Sequence, residues 1–123
     1  NFIIEPGRSV AASCGVLVTR VLYRKKVFDK HIVIIDAGMN NLIRPALYDA
    51  FHPLINLNER KGKRLLIDIA GPICESADFF ARGLKLPLPQ KGDIFLITST
   101  GAYGYSMSSN YNLRPFVGEF LII

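Results

Sequence analysis

In the stretch GPICES a thiol, a carboxylate and a hydroxyl follow one another. Cys74, Glu75 and Ser76 come directly after the apolar run Leu65-Leu66-Ile67-Asp68-Ile69 and its Gly71-Pro72 stop. Loops off a rigid scaffold are where reactive groups are usually presented. A thiol with a pKa near neutrality can give or take a proton, and a carboxylate beside it can pair with an ammonium group. Read alone, Cys74 is more often an inert loop cysteine than a catalytic one.

Three further stretches concentrate polar groups. In EPGRS, Glu5 precedes a Pro6-Gly7 turn whose glycine lets the backbone approach a ligand, and successive N–H groups in such a turn form an anion-binding nest. Arg8 adds a planar, permanently charged fork suited to carboxylate or phosphate. In NNLIRPALYDAF, Arg44 and Tyr48 lie four apart, so a helical loop puts them on one face where they can hold a substrate carboxylate. In GAYGYSMSSNYN, small residues surround Tyr103 and the Ser/Asn run is rich in capping groups, as at a helix start against a ligand. Each has a plainer reading: a β-turn with a surface arginine, a surface arginine beside a core tyrosine, or a glycine-rich turn with tyrosines packed on a sheet.

The elements that must carry these loops are mostly strands. GVLVTRVLYRKKV alternates, with Leu17, Val21 and Tyr23 on one face and Arg20 and Arg24 on the other, and is long enough to bend or change sheets. After the turn at Phe28-Asp29-Lys30, the β-branched run HIVIID reads as a buried strand in a hairpin with it. MNNLIRPALYDAFH reads as a short helical loop, with Asn40 or Asn41 as cap and Pro45 forcing Arg44 to be extended or to end the turn. HPLINLN and KRLLIDIAGP flank a Glu-Arg-Lys-Gly turn, GDIFLITST follows the connector LPLPQK, and RPFVGEFLII closes the chain. Five or six strands without intervening long helical patterns predict an antiparallel β-barrel or sandwich rather than a parallel α/β sheet. The opening FIIEPGR reads as a strand ending in a polar turn, like the last strand of something that precedes it.

At 123 residues, half of them hydrophobic, the chain is one domain with a real core. No apolar run approaches a membrane span and the opening residues are no export signal, so a soluble cytoplasmic chain is expected. Cys14 and Cys74 lie far apart, and with only His31 and His52 they make no metal set; two free thiols in a reducing compartment are expected. The net charge of +5 includes two short basic groups, Arg24-Lys25-Lys26 and Arg60 to Arg64, placed like solvated hairpin turns rather than a nucleic-acid surface.

Taken together and in order, EPGRS, DAGMNNLIRPALYDAFH, GPICESADFF and GAYGYSMSSNYNLRP resemble the C-terminal domain of bacterial diaminopimelate decarboxylases. These are pyridoxal-phosphate enzymes of the alanine-racemase-like class, in which a TIM-type barrel precedes a mostly antiparallel, Greek-key-like β domain with short helical loops. The resemblance implies that residues 1–8 end the last barrel strand and its loop and that 9–123 are the β domain. It also implies that Glu5, Gly7, Arg8 and Tyr103 lie by the phosphate of pyridoxal 5'-phosphate, with Arg8 and Tyr103 also touching substrate. Arg44 and Tyr48 would hold the substrate's distal carboxylate and Glu75 its distal ammonium. Cys74 would be the proton donor, reaching into the partner subunit's site in a homodimer with shared sites.

The family's cofactor lysine belongs to the missing barrel, and Lys25 and Lys63 lie in expected turns, so the chain alone is expected to be inactive. Ornithine, arginine and carboxynorspermidine decarboxylases share the architecture, and a non-catalytic β module for dimerisation is the reading outside enzymology.

Overall fold

The computed structural model describes residues 1–58 and 60–122. Its organising strand is β1, Leu17–Val27. The first four residues of β1 pair antiparallel with β6, Ile94–Ile97, Leu17 opposite Ile97 and Arg20 opposite Ile94. The rest pairs antiparallel with β2, Lys30–Ile35, in the expected hairpin, Val21 opposite Ile35 and Val27 opposite Lys30. The change of partner coincides with an irregularity: Val21 and Tyr23 face the consecutive residues Ile35 and Ile34, so Leu22 is one residue too many. An extra residue bends a strand and switches which side chains face inward. Thr19 and Val21 are therefore buried, whereas Tyr23, expected on their face, lies out in solvent.

β2 continues into β4, Arg64–Ala70, as a parallel neighbour, with His31 beside Ile67 and Ile34 beside Ala70. Among the described residues this is the one parallel pairing in an otherwise antiparallel sheet of six strands. Val33, Ile35, Ile67 and Ile69 are fully buried there, as their uninterrupted apolar runs require. β5, Phe79–Pro87, pairs antiparallel with β4 at one edge, and β3, Leu54–Asn56, pairs with β6 at the other, giving the order β3-β6-β1-β2-β4-β5. HPLINLN and KRLLIDIAGP are thus not a hairpin, because both edges of β4 are already taken by β2 and β5. Glu59, in the turn expected between them, lies outside the described residues. Leu54 and Asn56 of one edge line the same 290 Å³ cavity as Leu84 to Pro87 of the other, so the sheet curls until its edges approach. The concave side holds the core, centred on Val21, Val33, Ile35, Ile67, Ile69, Phe80, Phe95 and Ile97.

Two expected strands are absent. Residues 1–6 and 114–122 pair with no strand, and Ile3 and Phe120 are each 91% exposed. Ile123 lies outside the described residues. Apolar segments of this kind form strands only where an edge is offered to them, and neither meets one here. Two short helices complete the fold, α1 at Gly7–Ala11 and α2 at Arg44–Tyr48; among the described residues no helix is long and apolar enough to cross a membrane.

The consequence for function is geometric. Ala70 faces Phe79, Ile97 faces both Leu17 and Leu54, and Ile34 lies beside Ala70. The loops after β2, β4 and β6 and the segment before β1 therefore emerge at one end of the sheet.

The opposite end is fixed by an ion pair. Asp93, 1% exposed, accepts from Arg60 Nε at 3.0 Å and Nη2, from the Gln90 N–H at 3.0 Å and from Asn56. Arg60 is not the solvated turn charge expected of it, whereas Arg24, Lys25 and Lys26 are exposed at the hairpin end of β1. The Arg60 guanidinium, against a smaller cost of burial, holds the Asp93 carboxyl below the usual carboxylate range. A folded-state pKa below the unfolded one gives stability that is present above the unfolded value and lost as pH falls through the folded value. Asp93→Asn is accordingly expected to lower Tm by several degrees at pH 7, with the gap to wild type closing as pH falls below about 4, the unfolded Asp value. Thermal unfolding across pH 2–7 checks this; a gap independent of pH would contradict it.

Candidate functional site

The loop after β2 is tied down by its own first residue. Asp36 Oδ1 accepts from the Thr19 hydroxyl at 2.6 Å and from the Arg20 N–H at 2.8 Å, while Thr19 Oγ1 accepts from the Ala37 N–H. Asn41 Oδ1 accepts the Gly38 N–H at 2.9 Å, folding the next turn back on itself. The chain then enters α2. Pro45 sits in the first turn of this helix and opens it instead of ending it, since the missing N–H is one the helix would leave unpaired anyway. No side chain caps α2, so the capping role expected of Asn40 or Asn41 is not realised. Asp49, at φ 51°, closes the helix in the left-handed conformation.

The second loop, between β4 and β5, carries Cys74 and Glu75, both exposed. It is shaped by Asp78, 2% exposed, whose Oδ2 accepts the Ile73 N–H at 2.7 Å and whose Oδ1 accepts the Met39 N–H from the first loop at 2.7 Å. The Gly71 N–H donates to the Asp78 carbonyl and the Asp78 N–H to the Glu75 carbonyl. Gly71 lies so close to the carboxylate that a Cβ there would overlap it. Burial raises the Asp78 pKa, opposed in part by those two N–H bonds.

The third loop follows β6. The Thr100 N–H donates to the Gly15 carbonyl and the Gly101 N–H to the Ala12 carbonyl, both at 3.0 Å. These bonds clamp GAYGYSMSSNYN against the segment before β1. The clamp admits no side chains: a Cβ on Gly15 would stand 2.6 Å from Gly101 Cα, and one on Gly101 would strike the Ala11 carbonyl. The run forms successive turns and a short 3₁₀ segment at Tyr111–Leu113, not the helix start that its capping groups suggested. Tyr103 sits at φ 64°, a left-handed conformation that non-glycine residues adopt at a cost of roughly 1–3 kcal/mol.

These loops bring the arginines and tyrosines together. Arg8, Arg44, Tyr48, Ala50, Tyr103 and Met107 line an open cleft of about 530 Å³. Arg44 is only 9% exposed, and its guanidinium lies 5.4 Å from the ring centres of both Tyr48 and Tyr103. Tyr48 shares its helical face as the four-residue spacing predicted. Among the described residues no carboxylate pairs with Arg44, and its side chain donates no hydrogen bond. A cation facing a cleft between two aromatic faces, with its donors unspent, is a site for an anion. The Tyr103 hydroxyl also approaches Gly7, 3.8 Å from where a Cβ would stand, so the Glu5-Pro6-Gly7-Arg8 turn meets the third loop here.

Five of the sequence-derived site residues thus fall into one neighbourhood: Gly7, Arg8, Arg44, Tyr48 and Tyr103. Glu5 is exposed on the same turn, its carbonyl accepting the Gly7 N–H at 2.9 Å. Cys74 and Glu75 do not line the cleft. The residue that sequence reasoning missed is Asp78; the one signal for it was its place two residues after Ser76, closing the same loop. For a phosphorylated cofactor the residues present fit the anionic end, with the Gly7 backbone, Arg8 and the Tyr103 hydroxyl at hand. They do not supply a covalent anchor, since no lysine lines the cleft.

A family model described as the C-terminal sheet domain of pyridoxal-dependent decarboxylases matches residues 9–101. Diaminopimelate decarboxylase of Vibrio cholerae is 50% identical over 122 residues, and that of Aquifex aeolicus 45% identical over 122. Each alignment covers 99% of this chain and 29% of the relative, so the chain spans less than a third of the length of the proteins it matches. Among solved structures, Helicobacter pylori diaminopimelate decarboxylase complexed with L-lysine superposes with a TM-score of 0.86 at 46% identity, over 92% of this chain and 28% of that one.

The Gly15–Gly101 contact makes one prediction independent of chemistry. Gly101→Ala forces backbone against backbone, and overpacking of this kind costs about 1–3 kcal/mol or more. Chemical denaturation should show that loss, together with weaker anion binding in the cleft because Tyr103 is two residues away. A variant as stable as wild type would mean that the clamp is not as close as described.

Proposed function

Because the chain belongs to the pyridoxal-dependent decarboxylases, as their C-terminal sheet domain, we propose that it serves a decarboxylase converting meso-diaminopimelate to L-lysine and carbon dioxide. Residues 1–8 would end a preceding barrel strand and its loop, and 9–123 form the β domain. The unpartnered Ile3 and Ile4 support that division. The observation that carries the substrate reading is Arg44: nearly buried, held between two tyrosine rings and facing a cleft with no carboxylate of its own.

On this reading Arg44 and Tyr48 bind the distal carboxylate, with Arg8 at the same cleft. The Tyr103 hydroxyl and the turn at Glu5, Gly7 and Arg8 hold the cofactor phosphate, and Arg8 and Tyr103 also meet the substrate. Pyridoxal phosphate, when bound to the barrel's lysine, supplies the electron sink that allows carbon dioxide to leave. Cys74 then donates the proton to the former α-carbon, and Glu75 pairs with the distal ammonium. That neither lines the cleft beside Arg44 fits a homodimer in which each loop serves the partner's cleft. The free, exposed thiols Cys14 and Cys74 suit a reducing cytoplasm.

In the full-length enzyme, Arg44→Ala should raise KM for meso-diaminopimelate about ten- to a hundredfold, since a hydrogen bond to a charged group is worth roughly 1.5–3 kcal/mol. An unchanged KM would remove Arg44 from the substrate site. Cys74→Ala should lower kcat while cofactor absorbance stays intact, and full kcat in this variant would disqualify it as proton donor. Assayed at a substrate concentration too low for Arg44→Ala to turn over, a mixture of the two variants should restore about a quarter of wild-type activity, because half of the dimers are hybrids and one of two sites in each regains both residues. No recovery after subunit exchange would place both residues in the same subunit's site.

A further inference from the structure

We propose that Asp78 is a positioning residue, which sets the Cys74–Glu75 loop and, through the same carboxylate, the Met39 loop that leads to Arg44. The inference rests on the roles given above to Cys74 and Arg44. Its evidence is that the two carboxylate oxygens are divided between the two loops, Oδ2 to the Ile73 N–H and Oδ1 to the Met39 N–H, each at 2.7 Å. Ile73 immediately precedes the thiol. The Asp78 backbone is committed to the same loop, its N–H to the Glu75 carbonyl and its carbonyl to the Gly71 N–H.

Side-chain packing reinforces this junction. A Cβ on Gly38 would stand 2.7 Å from Ile73 Cγ1, and Gly71 leaves no room beside the carboxylate. Neither loop can shift without moving Asp78. The carboxylate is buried and does not line the cleft beside Arg44, so it acts on the chemistry there through the groups it holds. In a dimer with shared sites the consequence reaches both of them. One oxygen places the proton donor that enters the partner's cleft, and the other places the loop that builds the subunit's own.

The test is Asp78→Asn in the full-length enzyme, which keeps one acceptor oxygen and the side-chain size. A catalytic group displaced by about an ångström can cost about a hundredfold in rate, so kcat should fall on that scale. The solvent deuterium isotope effect on kcat should rise as proton delivery becomes limiting, while cofactor absorbance stays that of wild type. Because Asp78 acts on kcat through the thiol, Asp78→Asn added to Cys74→Ala should cost nothing further in kcat. Hydrogen exchange of the wild-type enzyme supplies a reading that needs no variant: the Ile73 and Met39 amides should exchange as slowly as those of β4. Fast exchange at either would overturn the proposal, as would Asp78→Asn with wild-type kcat and isotope effect. If Cys74→Ala itself kept full kcat, the reading of Cys74 would fail and this inference with it; failure at Asp78 alone would leave that reading standing.

Discussion

A buried guanidinium must be compensated, and among the described residues Arg44 is compensated by two aromatic faces instead of a carboxylate. Cation–π contacts are worth about 0.5–1 kcal/mol in the open and about 2 kcal/mol or more when desolvated. That is enough to hold the side chain in place, and it leaves the N–H fork unspent. A carboxylate partner from within the chain would have stabilised the charge and ended its use for an external anion. The surrounding architecture maintains this arrangement. Pro45 starts the helix that brings Tyr48 beside Arg44, and the glycine contact at Gly15 and Gly101 holds the loop that brings Tyr103 to the same guanidinium.

The chain's own carboxylates are spent differently. Asp36, Asp78 and Asp93 all hold backbone N–H groups, each where one element must be joined to another. Asp36 joins the end of β2 to β1, Asp78 joins two loops, and Asp93 fixes the start of β6 with the help of Arg60. Rigid loop ends of this kind let a small sheet domain present side chains at fixed positions. Strain at Tyr103 belongs to the same design, since a left-handed tyrosine persists only where its neighbours determine it.

Much of this was legible in the residues. The hairpin of β1 and β2 followed from alternation and a β-branched run, and the bend in β1 from its length. The pairing of Arg44 with Tyr48 followed from helical spacing, and free cysteines from their separation. What was hidden depended on partners distant in sequence. Tyr23 left the core because of a one-residue bulge at Leu22, which no periodicity announces. β5 was missed because Arg82 and Gly83 interrupt its alternation, Gly83 at φ 63° with its N–H held by Asp68. Conversely, residues 114–122 have a strand's composition and pair with no strand. Arg60 looked like a turn charge until Asp93, far along the chain, was brought beside it. The approach of Tyr103 to Arg44 had no local signal either, and only the agreement of four weak motifs with one family brought the two residues into one site.

On the function proposed above, the cleft selects a substrate with a carboxylate at its far end. The most direct measurement compares carbon dioxide release from meso-diaminopimelate and from L-ornithine by the natural, full-length polypeptide with pyridoxal phosphate. Turnover of diaminopimelate is expected, with next to none of ornithine, which offers Arg44 no distal carboxylate. Turnover of ornithine as fast as, or faster than, diaminopimelate would contradict the proposed function.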